Sequence, residues 1–361
     1  MKGRLPSLDG WRAVSILMVL GDHTLATGSF PWKHLPLLPT FLDGNLGVRF
    51  FFGISGFLIT WLMLKEEVEF KNVSLKNFYI RRALRIWPVY IAFLVVLFCL
   101  QKMGIVYQSL EAWRGLLTFT RNFHDDVREA ADAISIHCWS LSIEEQFYLV
   151  WPLVFCFADR RGRVGFLIFT ILFSAGFRTI ELLGAYDRHH AHYLFYKYAT
   201  FNYMDCLAWG CLGAFILAAK KSWVEAFARK RPAIVFSICF SLILIPGLAQ
   251  LGRGLQAAGF IGLILHSVVS PQWMFYRVLN WEWMKKIGVL SYSIYLWNQF
   301  FWMLWPPALA KWWFLWIAIT LGIAWLSYSF LEKPFLGLRA KFRSAPIEGN
   351  GTVGQTTQPG I

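Results

Sequence analysis

Arg12 and His23 stand in the segment LDGWRAVSILMVLGDH, an otherwise largely apolar stretch. A charge at the centre of a membrane-spanning helix costs about 2.5–3.5 kcal/mol, so each ionisable side chain there needs a reason. The two residues are eleven positions apart. At about 100° per residue this falls roughly 20° from three full turns, so both project from one helix face, about 16 Å apart along its axis. A guanidinium at one end can hold an anion, and an imidazole at the other can move a proton. The plainer alternative is an arginine that snorkels to one interface and a histidine that caps the other.

The segment HCWSLSIEEQFYLVWPL adds Glu144 and Glu145, expected about one and a half turns into a helix, at a depth similar to that of His23. Neighbouring positions differ by about 100°, so only one of them faces the interior. A buried carboxylate beside His23 would fix the imidazole tautomer and stabilise its cation, as a general base requires. A structural ion pair between helices is the competing reading. LGVRFFFGISGFLIT places Arg49 near the outer end of a helix, and Ser55 and Gly56 near its middle. Gly53 and Gly56 would admit a close neighbouring backbone or a slender ligand. Arg49 suits an oxyanion or a substrate carboxylate, and equally a loop carboxylate. In FYIRRALRIWPVY, Arg82 and Arg85 share a face and suit a phosphorylated ligand, or lipid headgroups. Asp205 in FNYMDCLAWG, and Tyr292 and Asn298 in IGVLSYSIYLWNQF, support a site or only bond neighbouring helices. Glu332 and Lys333 in FLEKPF mark an inner interface. The six cysteines have no zinc-type spacing and lie mostly in apolar runs, so no metal site is expected.

The elements that hold these residues follow from composition. The chain has 361 residues, 57% hydrophobic and 16% charged, against about 45–50% and 25% in soluble domains. This predicts an all-α integral membrane protein. Ten segments approach the roughly 20 apolar residues a span needs: about 10–28, 45–64, 84–101, 139–157, 164–183, 203–219, 233–250, 255–270, 287–305 and 312–331. The first is taken as a retained span rather than a signal peptide, because Asp22 and His23 close it. With both termini cytoplasmic, inside segments hold 23 Lys and Arg and outside segments 9, the bias expected of cytoplasmic loops. The same bias explains the net charge of +14 without nucleic acid. The long outer loops carry Asp125, Asp126, Glu129 and Asp132 in one and His189, His190 and His192 in the other. Residues 1–343 form one transmembrane unit, and the Gly-, Thr-, Gln- and Pro-rich tail 344–361 is expected to be disordered.

Taken together, LDGWRAVSILMVLGDH, FFFGISGFLIT, FYIRRALRIWPVY, WSLSIEEQFYLVWPL, SYSIYLWNQ and FLEKPF resemble the membrane acyltransferase-3 family, which includes O-antigen and other surface-glycan O-acetyltransferases. The resemblance runs in family order through nearly the whole helical region. It implies a bundle of about ten helices that uses acyl-CoA, by default acetyl-CoA, from the cytoplasm as co-substrate. It matches Arg12 and His23 to the family's essential pair and Glu144 to its acidic position. Arg82 and Arg85 match its basic pair, and Ser55 and Gly56 its Ser-Gly. Many members read Leu-Trp-His where this chain has Asn298 after Trp297, so proton transfer from that position is not expected. Members with a fused extracellular esterase-like domain carry a long C-terminal extension, which this sequence is read as lacking.

The expectation is then specific. Phosphates of acyl-CoA sit near Arg82, Arg85 and Arg12, the pantetheine arm runs past Gly53 and Gly56, and His23, oriented by Glu144, handles the acyl group. Arg49, Glu145, Asp205, Tyr292 and Asn298 support the acceptor side. The acceptor is a glycan or other hydroxylated molecule at the inner (plasma) membrane. A transporter or flippase is the alternative, since buried His, Glu and Arg also serve proton relays.

Overall fold

A computed structural model describes residues 5–26, 30, 34–35, 38–123, 134–182, 199–244, 252–304 and 307–342. The acidic and histidine clusters of the two long loops, and the polar tail, lie outside them. Among the described residues all regular structure is helical. The principal helices are α1 (Leu8–Ala26), α2 (Gly44–Phe70), α3 (Leu75–Lys102), α4 (Leu110–Leu117), α5 (Cys138–Phe157), α6 (Arg160–Leu182), α7 (Met204–Lys230), α8 (Pro232–Leu244), α9 (Gly252–Val269), α10 (Glu282–Leu304), α11 (Trp313–Ser327) and α12 (Lys333–Leu338). A π-helical turn, Tyr328–Glu332, joins the last two.

Local chemistry sets several boundaries. Asp43 caps α2 by accepting hydrogen bonds from the Asn45 and Leu46 amides, and Lys71 ends that helix in the left-handed conformation, φ 58°. Ser74 and Ser109 cap α3 and α4 in the same way, through the Asn77 and Ala112 amides. Such caps satisfy main-chain donors that have no partner within the helix.

Over its described residues each of the ten apolar segments falls on a helix, but they are not equivalent. Gly44–Phe70, Leu75–Lys102, Arg160–Ile180 and Trp313–Leu338 are long and apolar enough to cross a bilayer, and the pair Arg253–Val269 and Met274–Asn280 qualifies as one element bent by 86°. The outward faces are apolar. On α3, Trp87, Ile91, Val95 and Phe98 form an exposed stripe, a surface suited to hydrocarbon rather than water.

The bundle is built around two close crossings. α2 packs most extensively on α7, and α1 lies between α10 and α2. Small residues allow this. A side chain on Gly56 would run into the Leu207 carbonyl, one on Gly210 into Gly53, and one on Gly288 into the Asp9 carbonyl. Backbones approach closely where no Cβ intervenes. The α1–α2–α10 arrangement places the face of α1 that carries Arg12 and His23 inside the bundle.

Candidate active site

Six of the expected site residues line one narrow cavity: Arg12 from α1, Ser55 from α2, Arg82 and Arg85 from α3, Glu144 from α5 and Tyr292 from α10. Its open interior of about 90 Å³ has room for several waters or an unbranched chain. The Glu144 carboxylate meets the hydroxyls of Ser55 and Tyr148 and the charges of Arg82 and Arg12. The two hydroxyls are themselves 2.5 Å apart. The Arg82 guanidinium lies over the Tyr148 ring, 4.5 Å from its centroid, which fixes its plane. Arg85 faces Glu332 at 3.7 Å, and Ser293 Oγ donates to the same carboxylate at 3.2 Å. Arg339 adds a further cation beside Arg82, Arg85 and Glu332. Four guanidinium groups thus converge with two carboxylates. Like charges gathered this way favour a polyanionic ligand, and planar guanidinium groups match phosphate oxygens.

At the far end of the same face of α1, His23 is set among aromatic side chains. Its ring stacks on Trp302, centroids 4.8 Å apart at 21°, and Trp302 Nε1 donates to the His23 carbonyl at 3.1 Å. Trp316 stands 6.5 Å away. The polar side chain facing the imidazole is Asn298. Its amide donates within α10, to the Ile294 carbonyl at 3.1 Å and the Tyr295 carbonyl at 2.5 Å. Neither His23 Nδ1 nor Asn298 Oδ1 has a hydrogen-bond partner. Leaving such atoms unpaired costs about 1–3 kcal/mol each, a cost that substrate hydroxyls could offset.

Two expectations are corrected here. Glu144 does not orient His23; its partners place it at the Arg12 end of the cavity, while His23 lies about 16 Å farther along α1. The expectation equated their depths from segment boundaries, whereas Tyr148 and Ser55 hold the carboxylate toward α2 and α3. Gly56 does not line the cavity. It packs on Leu207 of α7, and its carbonyl accepts from Cys211 Sγ at 3.4 Å, so helix packing fills the space foreseen for a pantetheine arm.

The supporting residues divide. Arg49 donates to Gln256 Oε1 at 2.9 Å and lies 3.7 Å from the capping residue Asp43, the loop-carboxylate alternative. Asp205 pairs with Arg178 at 2.7 Å, both side chains fully buried, and Arg178 also donates to the Asn202 carbonyl at 3.0 Å. Glu145 lies near Glu144 and Arg82, and its Oε1 is buried without a partner. Tyr292 donates to the Ile86 carbonyl at 2.9 Å. Of these, Asn298 alone meets His23. Sequence reasoning missed Tyr148, Arg339 and His137, and read Glu332 only as marking an interface. Tyr148 was within reach of it, since it follows Glu144 by four positions and shares its helix face.

Among the described residues, a helical bundle with a phosphate-suited arginine cavity on one stretch of a helix and a half-buried imidazole on the next is an arrangement that suits group transfer at a membrane. The family comparison is specific: the acyltransferase-3 model, described as an acyltransferase domain, matches residues 5–332. The chain belongs to that family. It is 28% identical to the peptidoglycan O-acetyltransferase OatA of Listeria monocytogenes, over 91% of this chain and 55% of the relative. It is also 28% identical to the O-acetyltransferase OatA of Staphylococcus aureus, over 91% and 57%, and 27% to the putative O-acetyltransferase SACOL0978 of that species, over 92% and 57%. The chain therefore spans a little over half the length of these relatives. No solved structure matches it.

Proposed function

We propose that this chain transfers an acyl group, acetyl by preference, from cytoplasmic acyl-CoA to a hydroxyl of a cell-surface or exported glycan. In this reading the helices form a ten-span bundle in the plasma membrane, with both termini cytoplasmic and residues 1–343 as the catalytic unit. The observation that carries it is the placement of the arginine cavity and the His23 imidazole at two heights of one face of α1. The similarity to O-acetyltransferases, one of them named for peptidoglycan, supports acetyl as the group and a glycan as the acceptor.

Arg12, Arg82 and Arg85 would hold the phosphates of the donor, with Ser55, Tyr148 and Glu144 fixing the arginine planes. Tyr292 and Tyr295 flank the cavity on α10, and Asn298 lies one turn beyond Tyr295 toward His23. The route for the thioester arm thus follows α1 and α10, not the α2–α7 crossing. At the far end of α1, His23 either removes the proton from the acceptor hydroxyl or carries the acyl group on its ring. In both cases a C–S bond breaks and a C–O bond forms; in direct transfer the hydroxyl proton passes through the imidazole to the departing thiolate, whereas in the acyl-imidazole route the thiol leaves with the ring proton and the hydroxyl proton later restores the ring. Membranes containing the chain, given radiolabelled acetyl-CoA, should form hydroxylamine-labile esters on envelope glycan, and His23→Ala should lose that activity while remaining folded. Normal esterification by His23→Ala, or proton-coupled solute uptake with no ester formed, would contradict the proposal.

A further inference from the structure

A second imidazole lies within electrostatic reach of His23. His137, the residue that opens α5, is 6% exposed. Its ring packs edge-on against Phe93 and Tyr295, at 5.5 Å from each. The ring turns toward the main-chain carbonyls of Ile134 and Leu296, while Nδ1 is buried with no hydrogen-bond partner. Nε2 lies 3.9 Å from Cys138 Sγ, so the unpartnered Nδ1 is the nitrogen left to accept a proton when the ring hydrogen sits on Nε2. The indole nitrogen of Trp316, beside His23, is also buried without a partner. With His23 Nδ1 and Asn298 Oδ1, this makes four unpaired polar atoms in one neighbourhood, the pattern of a site built for a hydroxylated guest.

Tyr295 connects this group to the donor cavity. It lines the arginine cavity, and its hydroxyl donates to the His137 carbonyl at 2.9 Å. Ser140 Oγ, also on the cavity wall, stands 2.6 Å from that hydroxyl. Tyr295 therefore stands between the arginine cavity and the His137 ring.

We propose that His137 is a second catalytic residue, the base that takes the proton from the acceptor hydroxyl while His23 serves the thioester side. The inference rests on the acyltransferase reading above and assigns roles within it. In direct transfer, the hydroxyl oxygen attacks the thioester carbon and its proton passes to His137. The C–O bond forms as the C–S bond breaks, protonated His23 gives a proton to the thiolate, and proton return from His137 to His23 restores both rings. If His23 first carries the acyl group, its ring nitrogen displaces the thiolate, which leaves with the ring proton. The hydroxyl then attacks the acyl-imidazole, the C–N bond breaks, and the proton taken by His137 returns to His23.

The test compares the full chain and His137→Gln in membranes, with acetyl-CoA as donor probe and hydroxylamine-labile envelope esters as readout, and measures acetyl-CoA binding separately. His137→Gln should bind acetyl-CoA within about twofold of the parent, keep its KM for acetyl-CoA, and lose roughly 10²–10⁴-fold in kcat. Turnover within about threefold of the parent, or loss of donor binding in parallel with turnover, would overturn the assignment. If the variant does not fold, carbethoxylation of the unmutated chain decides. Modification of His137, located by peptide mass in protein whose His23 is intact, should abolish ester formation, and retained activity overturns the proposal. A parent chain that neither binds acetyl-CoA nor forms esters would instead refute the acyltransferase reading itself.

Discussion

Glu332 meets Arg85 across the bundle at 3.7 Å, with the carboxylate side chain wholly buried. It sits on the π-helical turn that links α11 to α12, an irregularity often found at functional sites. The extra residue in that turn brings the carboxylate among Arg12, Arg85 and Arg339, where it offsets their mutual repulsion. Glu332→Ala is expected to destabilise the protein by about 3–5 kcal/mol, as removal of one partner of a buried ion pair does. Thermal unfolding of the detergent-solubilised chain, with and without acetyl-CoA, measures this, and an unchanged transition would show that the arginines do not depend on it.

Arg82 tests the donor cavity more sharply. Its guanidinium lies over the Tyr148 ring and faces Glu144. Lysine keeps the charge but loses the stacked, forked geometry. Arg82→Lys should raise the KM for acetyl-CoA about tenfold or more, equivalent to about 1.4 kcal/mol of binding, with a smaller effect on kcat. An unchanged KM would remove Arg82 from the donor site.

The Arg178–Asp205 pair is predicted to be structural. Asp205→Ala leaves Arg178 buried and unneutralised, at a cost of about 3–5 kcal/mol, whereas replacing both residues with apolar ones of similar volume should be nearly neutral. Stability measured for the two single variants and the double variant checks this. Selective loss of acceptor use in a fully stable Asp205→Ala variant would return Asp205 to the acceptor site.

Gly56→Ala separates packing from ligand passage. The added methyl group meets the Leu207 main chain, so α2 and α7 must move apart. A loss of about 1–3 kcal/mol is expected, with the KM for acetyl-CoA unchanged in the protein that remains folded. Full stability with impaired donor binding would reinstate the channel along α2.

Much of this arrangement was legible in the chain itself. Helical periodicity put Arg12 and His23 on one face and Arg82 with Arg85 on another, because spacing within a helix fixes direction. Helix positions followed from apolar runs. The partner of His23 was not legible. Which carboxylate or amide reaches an imidazole depends on how far each helix is displaced along its axis, and segment boundaries locate that only to a few residues. The imidazole faces Asn298 rather than Glu144 for this reason. Gly56 illustrates a second limit: a small residue signals close approach, but not whether a helix or a ligand comes close. His137 stands at the head of the HCWSLSIEEQFYLVWPL motif, but nothing in its spacing links the start of α5 to the end of α1.

The central claim is that the donor is held at the Arg12 end of the bundle and the acceptor is esterified at the His23 end. Sealed inverted vesicles, with the cytoplasmic face outward, should be supplied with labelled acetyl-CoA in the external medium. Ester label should build up on glycan enclosed in the lumen and disappear in an Arg82→Ala/Arg85→Ala variant that still folds. Label that forms only when acetyl-CoA reaches the opposite face, or that persists undiminished without both arginines, would contradict the account.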